Sequence, residues 1–398
     1  NGLNGSEKTQ GPAGFGDLVR QTVNKVNENQ TNASKIAASY ERGEGVPLTD
    51  VVLSMQKSSL SFEATLQVRN KVLKGLYPPG STVKPMVSMA FMQAGIDPDE
   101  TVNCGGGLRV GNRVFGCWNR RGHGAVNMAK GIYQSCDVYF YAMAQRVGMD
   151  PIAAMARRCG MGQEFPLPVT SQFFGTVPDP AWKMKKWGRE WQAFDTVNAT
   201  IGQGYMLSSP LQLAVMASRI ATGRHVMPRL TLDTKPKGFE TIDFPLEQVE
   251  YVRKAMSDVV NGPGTAGRAR LPIDGTLLAG KTGTAQVVSL SISNGKSGPW
   301  KYRDHGLFVF FAPFDKPRYA GAVDERRTEC VAQGQDVEQA IGGVVLVVAA
   351  VAVADIPREE AVGELERAFQ AAGEAKGIDV LVERATTGLH GAALDADD

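Results

Sequence analysis

An α+β fold is what this sequence predicts, and three observations predict it. Helical patterning fills the middle of the chain, from Val126 to Val260. Strand patterning lies outside that stretch, at Val51–Met55 on one side and between Gly275 and Val323 on the other. Strands and helices do not alternate as a parallel α/β sheet would require, and no internal repeat is visible.

Residues 1–48 are polar, rich in Asn, Gln, Gly and Ser, and read as a lead-in with a helix over Phe15–Asn29. Val51–Met55 reads as a short strand. Gly75-Leu-Tyr-Pro-Pro-Gly80 is a turn segment, since Pro and Gly punctuate regular structure. Ser81–Gly95 reads as a buried helix, because Val83, Val87, Met89, Ala90, Phe91 and Met92 make it apolar nearly all round. Pro85 falls in its first turn, where a missing N–H costs least. Cys104–Cys117 reads as a hairpin turning near Gly111-Asn112. Val126–Val147, Asp150–Cys159, Leu207–Ala221 and Leu246–Val260 read as helices. Gly275–Val288 is a strand with two glycines at its middle. His305–Ala312 and Arg318–Val323 are strands joined by the turn Phe314-Asp-Lys-Pro317. The charged run Asp324-Glu-Arg-Arg-Thr-Glu breaks the strand pattern. The expected division is therefore a lead-in over 1–48, a main domain over 49–323 and an atypical segment over 324–398, in which Ala340–Ala354 can supply an apolar closing element.

The chain has 398 residues, 43% hydrophobic and 21% charged, which is a globular composition with room for a large core. A formal net charge of +2 implies no acidic partner and no nucleic acid. The densest basic cluster is Lys183, Lys185, Lys186 and Arg189, broken by Trp182 and Trp187. It reads either as a solvated loop or as a surface for an anionic polymer. No two of the five cysteines form a CxxC, and the four histidines are far apart, so neither a metal site nor a cofactor is expected. If Leu108 faces Arg113, the same register sets Cys104 opposite Cys117. A disulfide and two free thiols both fit that reading. The longest uncharged apolar run, Ala340–Ala354, is shorter than the ~20 residues a spanning helix needs. The chain does not begin with Met, and the expectation is a piece of a longer protein whose anchor lies elsewhere.

Acyl transfer by serine needs a nucleophile, a base and donors for the oxyanion. A Ser and a Lys three apart on a helix share a face, so Lys84 can reach the Ser81 hydroxyl. A lysine serves as base only when neutral, which burial or nearby positive charge favours. The spacing recurs in Ser54-Met-Gln-Lys57 and Ser293-Asn-Gly-Lys296. In a strand, residues three apart point to opposite faces, which rejects Ser54; Ser293 lies in a Gly- and Ser-rich loop. A second polar element, Ser135-Cys136-Asp137, interrupts a strongly apolar stretch and is expected to face a cleft. The third is Lys281-Thr282-Gly283-Thr284. Gly280 and Gly283 let a ligand backbone pair along the strand, Lys281 would meet a carboxylate, and Thr282 and Thr284 would add hydroxyl donors. Gly275–Thr282 also matches GxxxxGK[ST], the phosphate-binding loop, with Val351-Ala-Val-Ala-Asp355 as a metal-holding strand. That loop must join a strand to a helix, and here apolar strand residues flank the motif on both sides.

SxxK, SxD and KTGT in that order resemble the penicillin-recognising serine enzymes. Longer stretches narrow the match: Leu76-Tyr-Pro-Pro-Gly-Ser-Thr-Val-Lys-Pro85, Gly122-His-Gly124, Ile201-Gly-Gln-Gly-Tyr205, Ser209-Pro-Leu-Gln-Leu-Ala214 and Ala279–Val287. Together they look like the transpeptidase domain of class B penicillin-binding proteins. Asp137, where many relatives carry Asn, looks like the elongation-type subgroup. The resemblance covers roughly residues 50–323. It implies the penicillin-binding, β-lactamase-like transpeptidase fold, an antiparallel sheet flanked by a helical subdomain. It further implies periplasmic cross-linking of peptidoglycan stem peptides, inhibition by β-lactams, an inner-membrane anchor and a glycosyltransferase partner in the elongation complex. Carried over by position, Ser81 is the nucleophile and Lys84 its base. Ser135 relays a proton and Asp137 orients that network. Lys281, Thr282 and Gly283 belong to the strand motif, Thr284 contacts the substrate carboxylate, and the N–H groups of Ser81 and Thr284 form the oxyanion hole. A hydrolase (a β-lactamase or D,D-carboxypeptidase) and a β-lactam sensor are the alternatives. A β-lactamase needs a further carboxylate, for which residues 160–195 offer Glu164, Asp179, Glu190 and Asp195.

Overall fold

The computed structural model describes residues 15–42, 44–45, 47–169, 171–228, 239–271, 275–285, 304–328 and 343–352. Two long helices, α1 (Phe15–Glu41) and α2 (Leu48–Lys74), pack against each other. The strand expected at Val51–Met55 is therefore helical. Between Pro47 and Gly75 the chain runs 27 residues without Pro or Gly, so nothing in the sequence interrupts a long helix there.

A 3₁₀ turn over Gly80–Val83 leads into α3 (Lys84–Gln93), whose residues from Lys84 to Phe91 are all buried. Two small antiparallel ribbons follow. One pairs β1 (Val102–Cys104) with β4 (Gly124–Val126); the other pairs β2 (Gly107–Val110) with β3 (Arg113–Gly116). The turn is at Gly111-Asn112, but Val110 faces Arg113 and Leu108 faces Phe115. Gly111 takes φ +58°, so the chain reverses in two residues, two positions tighter than the expected register. Cys104 belongs to the other ribbon, opposite Gly124, and it and Cys117 are free thiols.

Val126–Val147 is not one helix. It divides into α4 (Met128–Tyr133) and α5 (Asp137–Val147), with a break over Gln134–Cys136 in which Ser135 holds φ +56°. Next come α6 (Met149–Arg158), α7 (Pro180–Trp187), α8 (Ala193–Thr200), α9 (Pro210–Thr222) and α10 (Leu246–Asn261). Asp179 caps α7 by accepting from the Trp182 N–H at 2.7 Å, and a Gln192/Asp195 capping box starts α8.

The main sheet contains β5 (Ala279–Ala285), β6 (His305–Ala312), β7 (Tyr319–Thr328) and β8 (Gly343–Ala352), antiparallel and in that spatial order. Leu307 through Ala312 are all buried, as a strand covered on both faces requires. The expected strand end at Val323 falls inside β7, which continues to Thr328, opposite Gly343. Ladder bonds come from the backbone, so the charged run does not stop the pairing. The apolar stretch predicted to close the fold supplies β8. Helix α9, buried almost along its length, packs on β6, β7 and β8, and α10 packs against β5, α3 and α4. Among the described residues no helix is long and apolar enough to cross a membrane.

Among the described residues β5 is an edge strand of this sheet. The strand also removes the phosphate-loop reading, because Lys281–Ala285 continues as strand where that motif needs a helix. Asp355, the other half of that reading, lies outside the described residues.

Candidate active site

Ser81 is the second residue of the 3₁₀ turn and lines a cleft of about 870 Å³. Its position is fixed by Gly80, whose φ is +56° and whose N–H donates to the Gly202 carbonyl at 2.9 Å. A Cβ on Gly80 would stand 2.3 Å from the Thr284 carbonyl oxygen and 3.0 Å from the Thr284 nitrogen. Only a glycine lets the Ser81 turn and β5 approach so closely.

Lys84 follows one turn later and is fully buried. Its Nζ donates to Asp137 Oδ1 at 2.7 Å, to the Ser135 carbonyl at 2.9 Å and to Ser135 Oγ at 3.2 Å. Three acceptors therefore surround Lys84 Nζ, and a neutral amine in this place keeps one lone pair with which to take a proton. Among the described residues no hydrogen bond joins Ser81 to Lys84.

The helix break presents Ser135 to a second cation. Lys281 Nζ, also fully buried, donates to Ser135 Oγ at 2.9 Å and to the Thr282 carbonyl at 2.8 Å. Ser135 Oγ therefore accepts from two ammonium groups, one on each side. The left-handed φ of Ser135 is uncommon outside glycine and is the kind of local strain found where function fixes a side chain. Asp137 completes the network: its Oδ2 accepts from the Trp118 N–H at 3.0 Å. The expectation that Lys281 meets a ligand carboxylate directly does not match this geometry, since its ammonium lies beneath the cleft and faces Ser135.

Thr282, Gly283 and Thr284 line the cleft along β5. The Thr284 carbonyl accepts from Gln203 Nε2 at 2.8 Å, so it points away from β6. In a strand the N–H and C=O of one residue point to the same side, which turns the Thr284 N–H outward too, toward the Ser81 turn. Gly283 is needed for the same closeness, as a Cβ there would meet Thr82 Cγ2 at 2.6 Å. Thr282 Oγ1 is 2.7 Å from Thr265 Oγ1. The fold thus brings Ser81, Lys84, Ser135, Asp137, Lys281, Thr282, Gly283 and Thr284 to one place.

Sequence reasoning assigned no role to Gln203, Thr265 or Trp118. Gln203 lies within a quoted motif; the other two carried no signal. Ser54 is on α2, where three-residue spacing does share a face, so the strand-based rejection fails. Its hydroxyl donates to the Val51 carbonyl at 2.9 Å and it does not line the cleft, which excludes it instead. Ser293 and Lys296 lie outside the described residues. Of the carboxylates in 160–195, Asp179 caps α7 and pairs with Arg157, while Asp195 is buried against Lys183 Nζ at 2.6 Å. None of the four lines the cleft, whose one lining carboxylate among the described residues is Asp137. The basic and aromatic segment folds into a cluster, with Trp182, Trp187 and Tyr205 in ring contact and Lys186 over both tryptophans.

No metal site was expected from the sequence, but the fold gathers a set of residues that could hold one: Cys104, Cys117, His123 and Cys136 place their donor atoms within 4.8 Å of one another. Both Cys104 Sγ and Cys117 Sγ lie 3.6 Å from His123 Nδ1. Bonds of ~2.3 Å to sulfur and ~2.0 Å to nitrogen around a tetrahedral ion require separations of about this size. A hydrogen bond from the Cys136 thiol holds the Cys117 thiol well below the usual thiol range, and the same contact pushes Cys136 up. Three thiols and an imidazole suit a soft divalent ion such as zinc. It would tie Cys136, between Ser135 and Asp137, to Cys117, next to the Trp118 N–H that holds Asp137.

Residues 22–345 match the family described as penicillin binding protein transpeptidase domain. The chain is 37% identical over 283 residues to the peptidoglycan D,D-transpeptidase MrdA of Acinetobacter baumannii, covering 67% of this chain and 42% of the relative. Among solved structures it resembles penicillin-binding protein 2 of Helicobacter pylori in complex with MreC, with a TM-score of 0.58 and 32% identity, over 64% of this chain and 46% of that one. It also resembles Pseudomonas aeruginosa penicillin-binding protein 2 in complex with WCK 5153, with a TM-score of 0.56 and 32% identity, over 76% and 62%. The chain spans somewhat under half the length of the curated relatives it matches.

Proposed function

Since the chain belongs to the penicillin-binding-protein transpeptidase family, in its elongation-type branch, we propose that it is the catalytic part of a peptidoglycan D,D-transpeptidase. The transpeptidase unit in this reading runs from α2 through β8. The single observation that carries the proposal is Ser135 Oγ held between Lys84 and Lys281, beside Ser81 and an edge strand.

A donor stem peptide ending in D-Ala-D-Ala lies along β5 as an added strand, the usual way an extended peptide binds a sheet edge. Its penultimate carbonyl carbon stands at Ser81 Oγ, and its carbonyl oxygen accepts from the N–H groups of Ser81 and Thr284. Lys84, reacting as the neutral amine, takes the Ser81 proton as the C–O bond forms. That proton passes by way of Ser135 to the departing D-alanine nitrogen as the C–N bond breaks. Asp137 keeps Lys84 and the helix break in register. The terminal carboxylate meets the hydroxyls of Thr282 and Thr284, with Lys281 beneath supplying positive field. An acceptor amine then attacks the Ser81 ester, loses its proton to the same network and releases the cross-linked amide. A β-lactam enters by the same route but keeps its leaving group tethered.

Transfer is favoured over hydrolysis by the cleft itself, which among the described residues offers no second lining carboxylate to activate water. By extension from the relatives, the intact protein works in the periplasm, anchored to the inner membrane. It joins an elongation complex, as the MreC complex of the Helicobacter pylori relative suggests, with a glycosyltransferase as the further partner. The test is partition of a thioester analogue of acyl-D-Ala-D-Ala in the presence of a D-amino acid. Amide product rising with amine concentration supports transfer. Free acid alone, whatever the amine, gives the hydrolase, and a stoichiometric adduct without turnover gives the sensor.

A further inference from the structure

We infer that Thr265 is a positioning residue for recognition of the substrate's terminal carboxylate, acting through Thr282. The inference rests on the reading of the cleft given above. Thr265 belongs to the short connection after α10, and that connection is held from two directions. Its N–H donates to the Tyr133 carbonyl at 3.2 Å, at the end of α4, and the Ala266 N–H donates to the Val259 carbonyl at 2.9 Å, on α10. Gly264 makes the tight turn possible, because a Cβ there would stand 2.3 Å from Val259 Cα. The Thr265 hydroxyl is thus placed by backbone contacts with two helices, and it meets Thr282 Oγ1 at 2.7 Å in the cleft wall.

The proton count gives this contact a direction. A threonine hydroxyl has one proton and two lone pairs. Either oxygen of the pair can donate to the other. If Thr282 donates to Thr265, its proton is used up in the wall and only lone pairs face a ligand, which a carboxylate avoids. If Thr265 donates to Thr282, the Thr282 proton is free to turn into the cleft. Lys281 Nζ, 3.5 Å from Thr282 Oγ1, donates to it in either order, so the choice between the two falls to the ligand. An anionic ligand selects the order Thr265 to Thr282 to carboxylate. A donor already oriented before binding loses less freedom when the ligand arrives.

The experiment measures acylation of the purified protein by benzylpenicillin, separating the dissociation constant of the pre-acylation complex from the limiting acylation rate. Thr265→Val is expected to raise that dissociation constant about tenfold, equivalent to ~1.4 kcal/mol, with the limiting rate changed less than about threefold. Thr265→Ser is expected to restore wild-type binding. A penicillin whose carboxylate is masked as an ester is expected to show no difference between wild type and Thr265→Val. Added to Thr282→Val, the Thr265→Val change is expected to cost nothing more, since the two act as one unit. Wild-type binding by Thr265→Val, an equal loss toward the ester, or failure of the serine variant to recover would each overturn the inference. If Thr265→Val does not fold, Thr265→Ala takes its place in the same binding, ester and serine-rescue comparisons, with the same outcomes expected. Absence of any acylation of the wild-type protein at Ser81 would instead remove the functional reading on which the inference stands.

Discussion

Replacing Gly80 by alanine should separate the oxyanion hole from the rest of the site. The added Cβ would stand 2.3 Å from the Thr284 carbonyl oxygen, where ordinary contact begins at 3.4 Å. Either β5 or the Ser81 turn must therefore retreat by roughly 1 Å, and misplacement on that scale costs about 100-fold in rate. Loss of one oxyanion donor costs about 100- to 1,000-fold, in agreement. The left-handed φ of +56° adds roughly 1–2 kcal/mol of backbone strain, which lowers stability without touching chemistry. Gly95 provides the control, because it also has positive φ, +86°, yet nothing lies within 4 Å of its Cβ position. The assay is the second-order rate constant for labelling by a fluorescent penicillin, with thermal unfolding of each protein alongside. Gly80→Ala should label at least about 100-fold more slowly, while Gly95→Ala loses similar stability and labels near the wild-type rate. Labelling of Gly80→Ala within about threefold of wild type would refute the claim that this approach sets the hole.

Three further predictions follow from other parts of the structure. Asp137→Ala leaves the buried Lys84 ammonium without its carboxylate and should destabilise by about 3–5 kcal/mol in denaturant unfolding, whereas Asp137→Asn, which keeps an acceptor, should cost much less. The cysteine and histidine cluster should carry about one zinc ion per chain when the protein is purified without chelator. Stripping it should lower the unfolding temperature and open Cys104, Cys117 and Cys136 to alkylation, and a metal-free protein of equal stability with inert thiols would contradict the site. Burial pushes the Asp179 carboxyl up, but the Trp182 N–H and Arg157 outweigh it and hold the group below its ordinary value of 3.8. Stabilisation by Asp179 is therefore complete above that value and lost as pH falls through the lower folded one. The stability gap between wild type and Asp179→Ala, about 1 kcal/mol at neutral pH, should be flat down to about pH 4 and shrink below it.

Most of the residues that the fold gathers at the cleft were legible because the chemistry read into them is tied to local spacing. Ser81 and Lys84 lie one helical turn apart, and Lys281 to Thr284 sit on a strand whose glycines mark close approach. What sequence could not give was register and convergence. The Gly111-Asn112 turn was found, but a two-position slip in pairing put Cys104 opposite the wrong residue. That slip hid the metal cluster, whose ligands come from four separate segments and match no compact motif. Val51–Met55 misled because five residues, four of them apolar, carry no information about the 27-residue helix that contains them. Asp324–Thr328 misled because its charges mask a backbone ladder with β8, a partner that lies beyond an intervening stretch of chain. Thr265 and Gln203 reach β5 through contacts made only on folding.

The central claim is that Ser81 forms the acyl-enzyme with Lys84 as its base, and intact-mass measurement after incubation with penicillin, followed by peptide mapping, tests it most directly. One adduct of penicilloyl mass should appear on the Ser81 peptide and persist for many minutes. It should be absent from Ser81→Ala and from Lys84→Arg, since a guanidinium stays protonated. An adduct mapped to Ser54 or Ser293, an adduct that survives Ser81→Ala, or near-normal acylation of Lys84→Arg would contradict the account.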